Sequence, residues 1–87
     1  MKKITYTVKA EAGLHARPAG LLVKQTAAFK SNIKILNEES GKEADLKRLM
    51  AIMALGVKQG NRIVISADGE DEEEAVAVIE AFLKENF

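Results

Sequence analysis

The chain has 87 residues, of which 47% are hydrophobic and 30% charged, and its formal net charge is zero. This length fits one domain, residues 1–87, and the apolar fraction excludes a disordered chain. The absence of cysteine excludes disulfides and thiolate metal sites, and no apolar run approaches the roughly 18 residues that span a bilayer. We therefore expect a soluble cytoplasmic protein without membrane insertion.

The first third of the chain predicts a strand, a turn and a helix. Apolar and polar residues alternate over residues 4–8, which is typical of a half-buried strand. Gly13 indicates a turn, and Pro18 is expected at the first helical position, where proline is tolerated. A helix is then predicted over Ala19–Phe29 from its apolar spacing.

The middle of the chain predicts a hairpin and a shorter helix. Ile33 and Ile35 indicate a second strand, Asn37–Lys42 a hairpin turn, and Glu43 the position of a short third strand. Asp45 is expected to cap the second helix. The apolar positions of that helix are Leu46, Leu49, Met50 and Met53.

The last third predicts a strand and a longer helix. Ile63–Ile65 is β-branched and apolar, and Asp68–Gly69 ends that strand. Acidic residues favour a helix start in Glu70–Glu74, where Asp71 and Glu74 have the spacing of a capping box. The order β-α-β-β-α-β-α predicts an α+β fold in which helices cover one face of a single sheet.

One segment carries the residues expected to do chemistry. His15, the only histidine, lies just before a helix start marked by Pro18. A helix N-terminus presents free N–H groups and a partial positive charge, so it binds anions readily. Arg17 adds a forked cation suited to phosphate oxygens. The residues predict a phosphoryl acceptor at His15, although a lone loop histidine is more often a solvated surface residue.

This segment, Gly13–Ala19, resembles the active-site signature of the HPr family, phosphocarriers of the bacterial phosphoenolpyruvate-dependent sugar phosphotransferase system. Leu46–Gly56 is similar to the second-helix segment of that family, and Ser66–Glu72 to its entry into the last helix. Length and element order also agree, so the resemblance covers essentially the whole chain.

The resemblance implies an open-faced sandwich with a four-stranded antiparallel sheet in the order 1-4-2-3. It implies that His15 takes a phosphoryl group on Nδ1 from phospho-Enzyme I and passes it to a sugar-specific Enzyme IIA. Arg17 would neutralise the phosphoryl charge, and the N–H groups of Ala16 and Arg17 would donate to it, while Pro18 fixes the turn. The protein would then be a carrier and not an enzyme, a monomer, without cofactor or metal.

The same resemblance implies a partner-binding surface on the second helix. Leu49, Met50 and Met53 could all be core residues, but a helix this short cannot bury every apolar side chain that it holds. Methionine suits a surface that must fit several partners. Lys24 on the first helix is expected at the rim of this surface.

Arg48 departs from the family pattern. Many relatives carry a regulatory serine at this position, and arginine has no hydroxyl to phosphorylate. The alternative function is therefore a regulatory paralogue in which phosphorylation of His15 controls a transcription regulator or an enzyme.

Two other classes of function are less favoured. Residues 1–67 hold 12 Lys/Arg against 5 Asp/Glu, which suggests an acidic or phosphorylated partner, or a nucleic acid. One Tyr, three Phe and no Trp argue against a nucleic-acid-binding domain. An enzyme using His15 as acid or base lacks an evident second titratable group.

Overall fold

The computed structural model describes all residues from 1 to 87 and contains the seven elements in the predicted order. They are β1 Lys2–Thr7, α1 Ala16–Thr26, β2 Asn32–Asn37, β3 Lys42–Asp45, α2 Leu49–Met53, β4 Arg62–Asp68 and α3 Glu72–Asn86.

The four strands form one antiparallel sheet in the order β1-β4-β2-β3, which confirms the predicted topology. Ile65 of the central strand β4 pairs with Ile4 on one side and with Ile35 on the other. Alternate residues of β2 and β4 are buried, since side chains of a strand point to opposite faces in turn. The three helices cover the buried face, and Lys34 and Thr5 lie on the open one.

A single apolar core of 18 buried residues lies between the sheet and the helices. Its fully buried large side chains come from both central strands, from α1, α2 and α3, and from the segment before α2. Buried polar groups are satisfied: the Thr26 hydroxyl donates to the Val23 carbonyl at 2.8 Å, and the Asn37 amide to the Leu55 carbonyl at 3.4 Å. No buried side-chain nitrogen or oxygen lacks a partner.

The predicted start of α1, with Pro18 at the first helical position, was two residues late, and its predicted end at Phe29 was three residues late. The helix begins at Ala16 and ends at Thr26, so Pro18 is its third residue and not its first. Proline is tolerated there because the first N–H groups of a helix have no intrahelical acceptor in any case. The first helical turn therefore lies closer to His15 than the sequence suggested.

Asp45 does not cap α2, contrary to the prediction. The helix begins at Leu49 with Arg48 at its N-cap. Asp45 ends β3, and its carboxylate accepts the N–H of Lys47 at 2.9 Å within a turn. Leu46 is fully buried, but it lies in this turn before the helix.

The predicted capping box of α3 is also wrong. Asp71 occupies the N-cap position, yet its side chain makes no capping hydrogen bond. Its carboxylate instead accepts the N–H of Lys30 at 2.8 Å and both the N–H (3.0 Å) and the hydroxyl of Ser31. Glu72, not Glu74, reaches back to the Gly69 N–H at 3.3 Å. A contact from a distant part of the chain has displaced the local cap.

Candidate functional site

His15 is the N-cap residue of α1, with extended backbone angles (φ −85°, ψ 163°) and a partly exposed side chain. The loop before it is held by a hydrogen bond to the segment after α2 and by another within the loop. Leu14 is buried, and its N–H donates to the Val57 carbonyl at 3.2 Å. The His15 N–H donates to the Gly13 carbonyl at 3.1 Å. The imidazole is therefore carried by a loop that packs tightly against the segment after α2.

The first turn of α1 provides hydrogen-bond donors next to His15. The His15 carbonyl accepts the N–H of Ala19 at 3.1 Å, which is the first bond of the helix. The N–H groups of Ala16 and Arg17 have no backbone acceptor, and Pro18 has no N–H. Because the free donors coincide with the positive end of the helix dipole, this turn suits an anion.

Arg17 is exposed and takes part in none of the six ion pairs of the structure. Its guanidinium is thus not committed to a carboxylate of the same chain. Arg17, Leu21 and Lys24 follow one another at i, i+4 and i+7, so they share one face of α1. All three are exposed. The helix that follows the histidine therefore has one solvent-exposed face with two cationic side chains and one apolar side chain.

An aromatic ring that the sequence analysis missed lies against His15. The ring centroids of Phe87 and His15 are 6.1 Å apart with an angle of 72° between the planes. Phe87 is buried, and it also contacts Phe82 at 6.2 Å. The only signal in the sequence is that Phe87 extends the apolar spacing of the last helix, which indicates burial but not which residue it contacts.

The structure separates the predicted partner-binding residues by exposure. Met50 is 81% exposed and Met53 36%, whereas Leu49 is half-buried against the core. Arg48 is exposed at the start of α2, and α2 packs on α1, which carries Lys24. The exposure excludes the alternative in which all three apolar residues belong to the core.

Leu21 adds a large exposed apolar side chain that the sequence analysis did not single out. It is 53% exposed on α1. Its position could have been found from helical spacing, because it lies off the buried face formed by Pro18, Ala19, Leu22 and Thr26.

Two carboxylates at the start of α3 have lowered pKa values. The hydrogen bond from the Ser31 hydroxyl holds the pKa of Asp71 below its ordinary value of 3.8. The pKa of Glu72 is lowered by its bond with the amino group of Met1 at 2.9 Å. No group of three or more His, Cys, Asp or Glu side chains is placed to hold a metal ion, and no helix is long and apolar enough to cross a membrane.

Comparison with known proteins gives one consistent family. The family model for the PTS HPr component phosphorylation site matches residues 2–85. The phosphocarrier protein HPr of Mycoplasma genitalium is 43% identical over 86 residues, which cover 99% of this chain and 97% of that protein.

Solved structures agree with this. A mycoplasma histidine-containing phosphocarrier protein superposes with a TM-score of 0.91 at 38% identity, covering 97% of this chain and 93% of the other. HPr-C-His from Thermoanaerobacter tengcongensis gives a TM-score of 0.89 at 42% identity, with 97% and 92% covered.

Proposed function

Because the chain belongs to the HPr family of phosphocarrier proteins, we propose that His15 accepts a phosphoryl group from phospho-Enzyme I and passes it to an Enzyme IIA. Phosphoenolpyruvate is the original source of the group, and sugar uptake is the process that it serves. The observation that carries the proposal is the imidazole at the N-cap of α1, beside the free N–H groups of Ala16 and Arg17.

The chemistry follows from this geometry. The lone pair of Nδ1 forms the bond to phosphorus while the bond from phosphorus to the donor breaks, and the donor keeps that electron pair. Catalysis of such transfers rests on positioning and charge stabilisation. The N–H groups of Ala16 and Arg17 and the guanidinium of Arg17 supply donors to the equatorial oxygens. Pro18 limits the conformations of this turn.

The proposed docking surface comprises Lys24, Arg48, Leu49, Met50 and Met53. Its support is the exposure of both methionines on a helix that packs on α1. A carrier has to release each partner after transfer, so a flexible apolar centre with a cationic rim suits it: methionine adapts its shape, and complementary charge raises association rates. We propose that the protein acts as a cytoplasmic monomer, with Enzyme I and Enzyme IIA domains binding this surface in turn.

One experiment tests the acceptor. The protein is incubated with phosphoenolpyruvate, Mg²⁺ and Enzyme I, and intact mass is measured. We expect one acid-labile phosphoryl group on the wild type and none on His15→Ala, with both proteins showing the same thermal melting curve. Transfer of the label to an Enzyme IIA then separates sugar transport from purely regulatory phosphorylation. An unmodified wild-type protein in the presence of active Enzyme I contradicts the proposal.

Arg48 makes a second expectation testable. HPr kinase with ATP should leave the wild-type chain unmodified, because the position of the regulatory serine carries a guanidinium and no hydroxyl. Arg48→Ser is the matched variant, and we expect it to gain one phosphoryl group. Phosphoserine on the wild-type protein contradicts the inference that the serine switch is lost.

A further inference from the structure

Phe87 has a contact that burial alone does not require. Its ring meets the His15 imidazole in a T-shaped arrangement, with centroids 6.1 Å apart and planes at 72°. The same ring packs against Phe82, and only 4% of Phe87 is exposed. Phe87 is therefore a buried apolar side chain in contact with His15, which is itself partly exposed to solvent.

The backbone of Phe87 is tied to the loop that leads to the histidine. Its N–H donates to the Leu83 carbonyl at 2.8 Å, which continues the last turn of α3. Its backbone oxygen accepts the N–H groups of Lys9 at 2.5 Å and Ala10 at 2.8 Å. The end of α3 and the loop between β1 and α1 are thus joined directly, and the Phe87 ring has little freedom to move away.

The imidazole itself has few other restraints. The His15 side chain makes no capping hydrogen bond to α1. The second side-chain torsion of histidine is broad, so the rotamer alone does not fix the ring plane. Aromatic pairs prefer edge-to-face geometry over a stacked one, which makes the energy of His15 depend on how its ring is turned.

We propose that Phe87 is a positioning residue that sets the plane of the His15 ring, and with it the direction of Nδ1 toward the N–H groups of Ala16 and Arg17. This inference rests on the proposed phosphoryl transfer at His15. A ring free to rotate would spend part of its time with Nδ1 directed away from these donors. Misplacement of reacting groups by about 1 Å costs on the order of 100-fold in rate, so partial loss of orientation has a measurable effect.

The test compares two identical changes in one aromatic cluster. Phe87→Leu removes the ring that contacts His15, and Phe82→Leu removes the neighbouring ring, which pairs with Phe87 and not with His15. The maximal rate of phosphorylation by Enzyme I and the KM for the carrier are measured for each, together with the melting temperature. Nuclear Overhauser contacts of the His15 ring protons report the ring orientation independently of activity.

For Phe87→Leu we expect a maximal rate about tenfold lower, an unchanged KM, and loss of preferred contacts of the His15 ring protons. Phe82→Leu should keep both the rate and the contacts, even where it lowers the melting temperature as much. If wild type and Phe87→Leu are phosphorylated equally fast, or the ring contacts are unchanged, the positioning role is overturned and the carrier function stands. If the wild type accepts no phosphoryl group from active Enzyme I, the carrier function fails and takes this inference with it.

Discussion

Replacing Gly13 by alanine should destabilise the loop that carries His15 through a defined steric conflict. Gly13 is buried and has a φ of +66°, in the left-handed region that non-glycine residues rarely adopt. A Cβ at this position would lie 2.9 Å from the Lys58 Cα and closer still to the Val57 carbonyl oxygen. That oxygen accepts the Leu14 N–H, so the segment after α2 cannot move away without weakening the bond.

The expected cost has two parts. A left-handed backbone with a Cβ costs about 1 to 2 kcal/mol. Disrupting the bond between Leu14 and Val57 adds about 1 to 3 kcal/mol, because its buried groups lose their partner. A total of roughly 3 kcal/mol corresponds to a fall in melting temperature of about 12 to 24 °C in a domain of this size.

Gly41 provides the matched control. Its φ is +73°, but a Cβ there would meet nothing within 4 Å. Gly41→Ala should therefore cost only the backbone part, about 1 to 2 kcal/mol. Thermal unfolding followed by circular dichroism measures both variants, and phosphorylation by Enzyme I should slow for Gly13→Ala alone, because the Gly13 carbonyl holds the His15 N–H. Equal losses of stability in the two variants would refute the close-approach argument.

Three further outcomes are expected. Arg17→Ala should lower the phosphorylation rate roughly 100-fold, as loss of a transition-state donor does, while an exposed side chain without ion pairs leaves the melting temperature unchanged; a stability loss instead of a rate loss would contradict this. Met50→Ser should raise the KM for Enzyme I about tenfold, since a buried methionine contributes about 1.5 kcal/mol to an interface, whereas an unchanged KM would remove Met50 from the docking surface. The Ser31 hydroxyl lowers the pKa of Asp71, so the stability from this bond is present above pH 3.8 and is lost as the pH falls through the lower folded-state pKa. Urea unfolding across that range should show this dependence in the wild type and in Glu74→Gln, and a weaker one in Asp71→Asn.

The strand order 1-4-2-3 was implied by the family resemblance, whereas the seven elements and their single sheet were predictable because their signals are local and repeated. Alternation in β1, the β-branched residues of β2 and β4, and helical spacing between them favour one sheet with helices on one face. Helix starts were less predictable. Asp71 has the chemistry of a cap, but Ser31 competes for the same carboxylate from a distant part of the chain. The carboxylate of Asp45 likewise accepts a hydrogen bond within a turn. A sequence pattern does not show which of several possible donors such a carboxylate will bond to.

The position of His15 at the start of a helix was predictable, because it depends only on residues that are neighbours in the chain. His15, Ala16, Arg17 and Pro18 are consecutive, and the properties of a helix N-terminus follow from its backbone alone. The contact of Phe87 with His15 was not predictable, because only the packing of α3 against the β1–α1 loop brings them together. The exposure of Met50 was not predictable either, because it depends on where the neighbouring helices lie.

The loop before α1 has a backbone fixed by hydrogen bonds, and the helical turn that follows it is exposed to solvent. This combination suits a group carrier. The backbone of this loop is held to the rest of the fold by buried Leu14, by the Val57 carbonyl and by the backbone oxygen of Phe87. The Arg17 side chain has no partner in the chain and lies on the surface. Because donors that are already oriented need no reorganisation, a fixed backbone would lower the barrier for both steps of the phosphoryl transfer proposed above. Because the same turn is exposed, each proposed partner would reach Nδ1 of His15 without any opening of the fold.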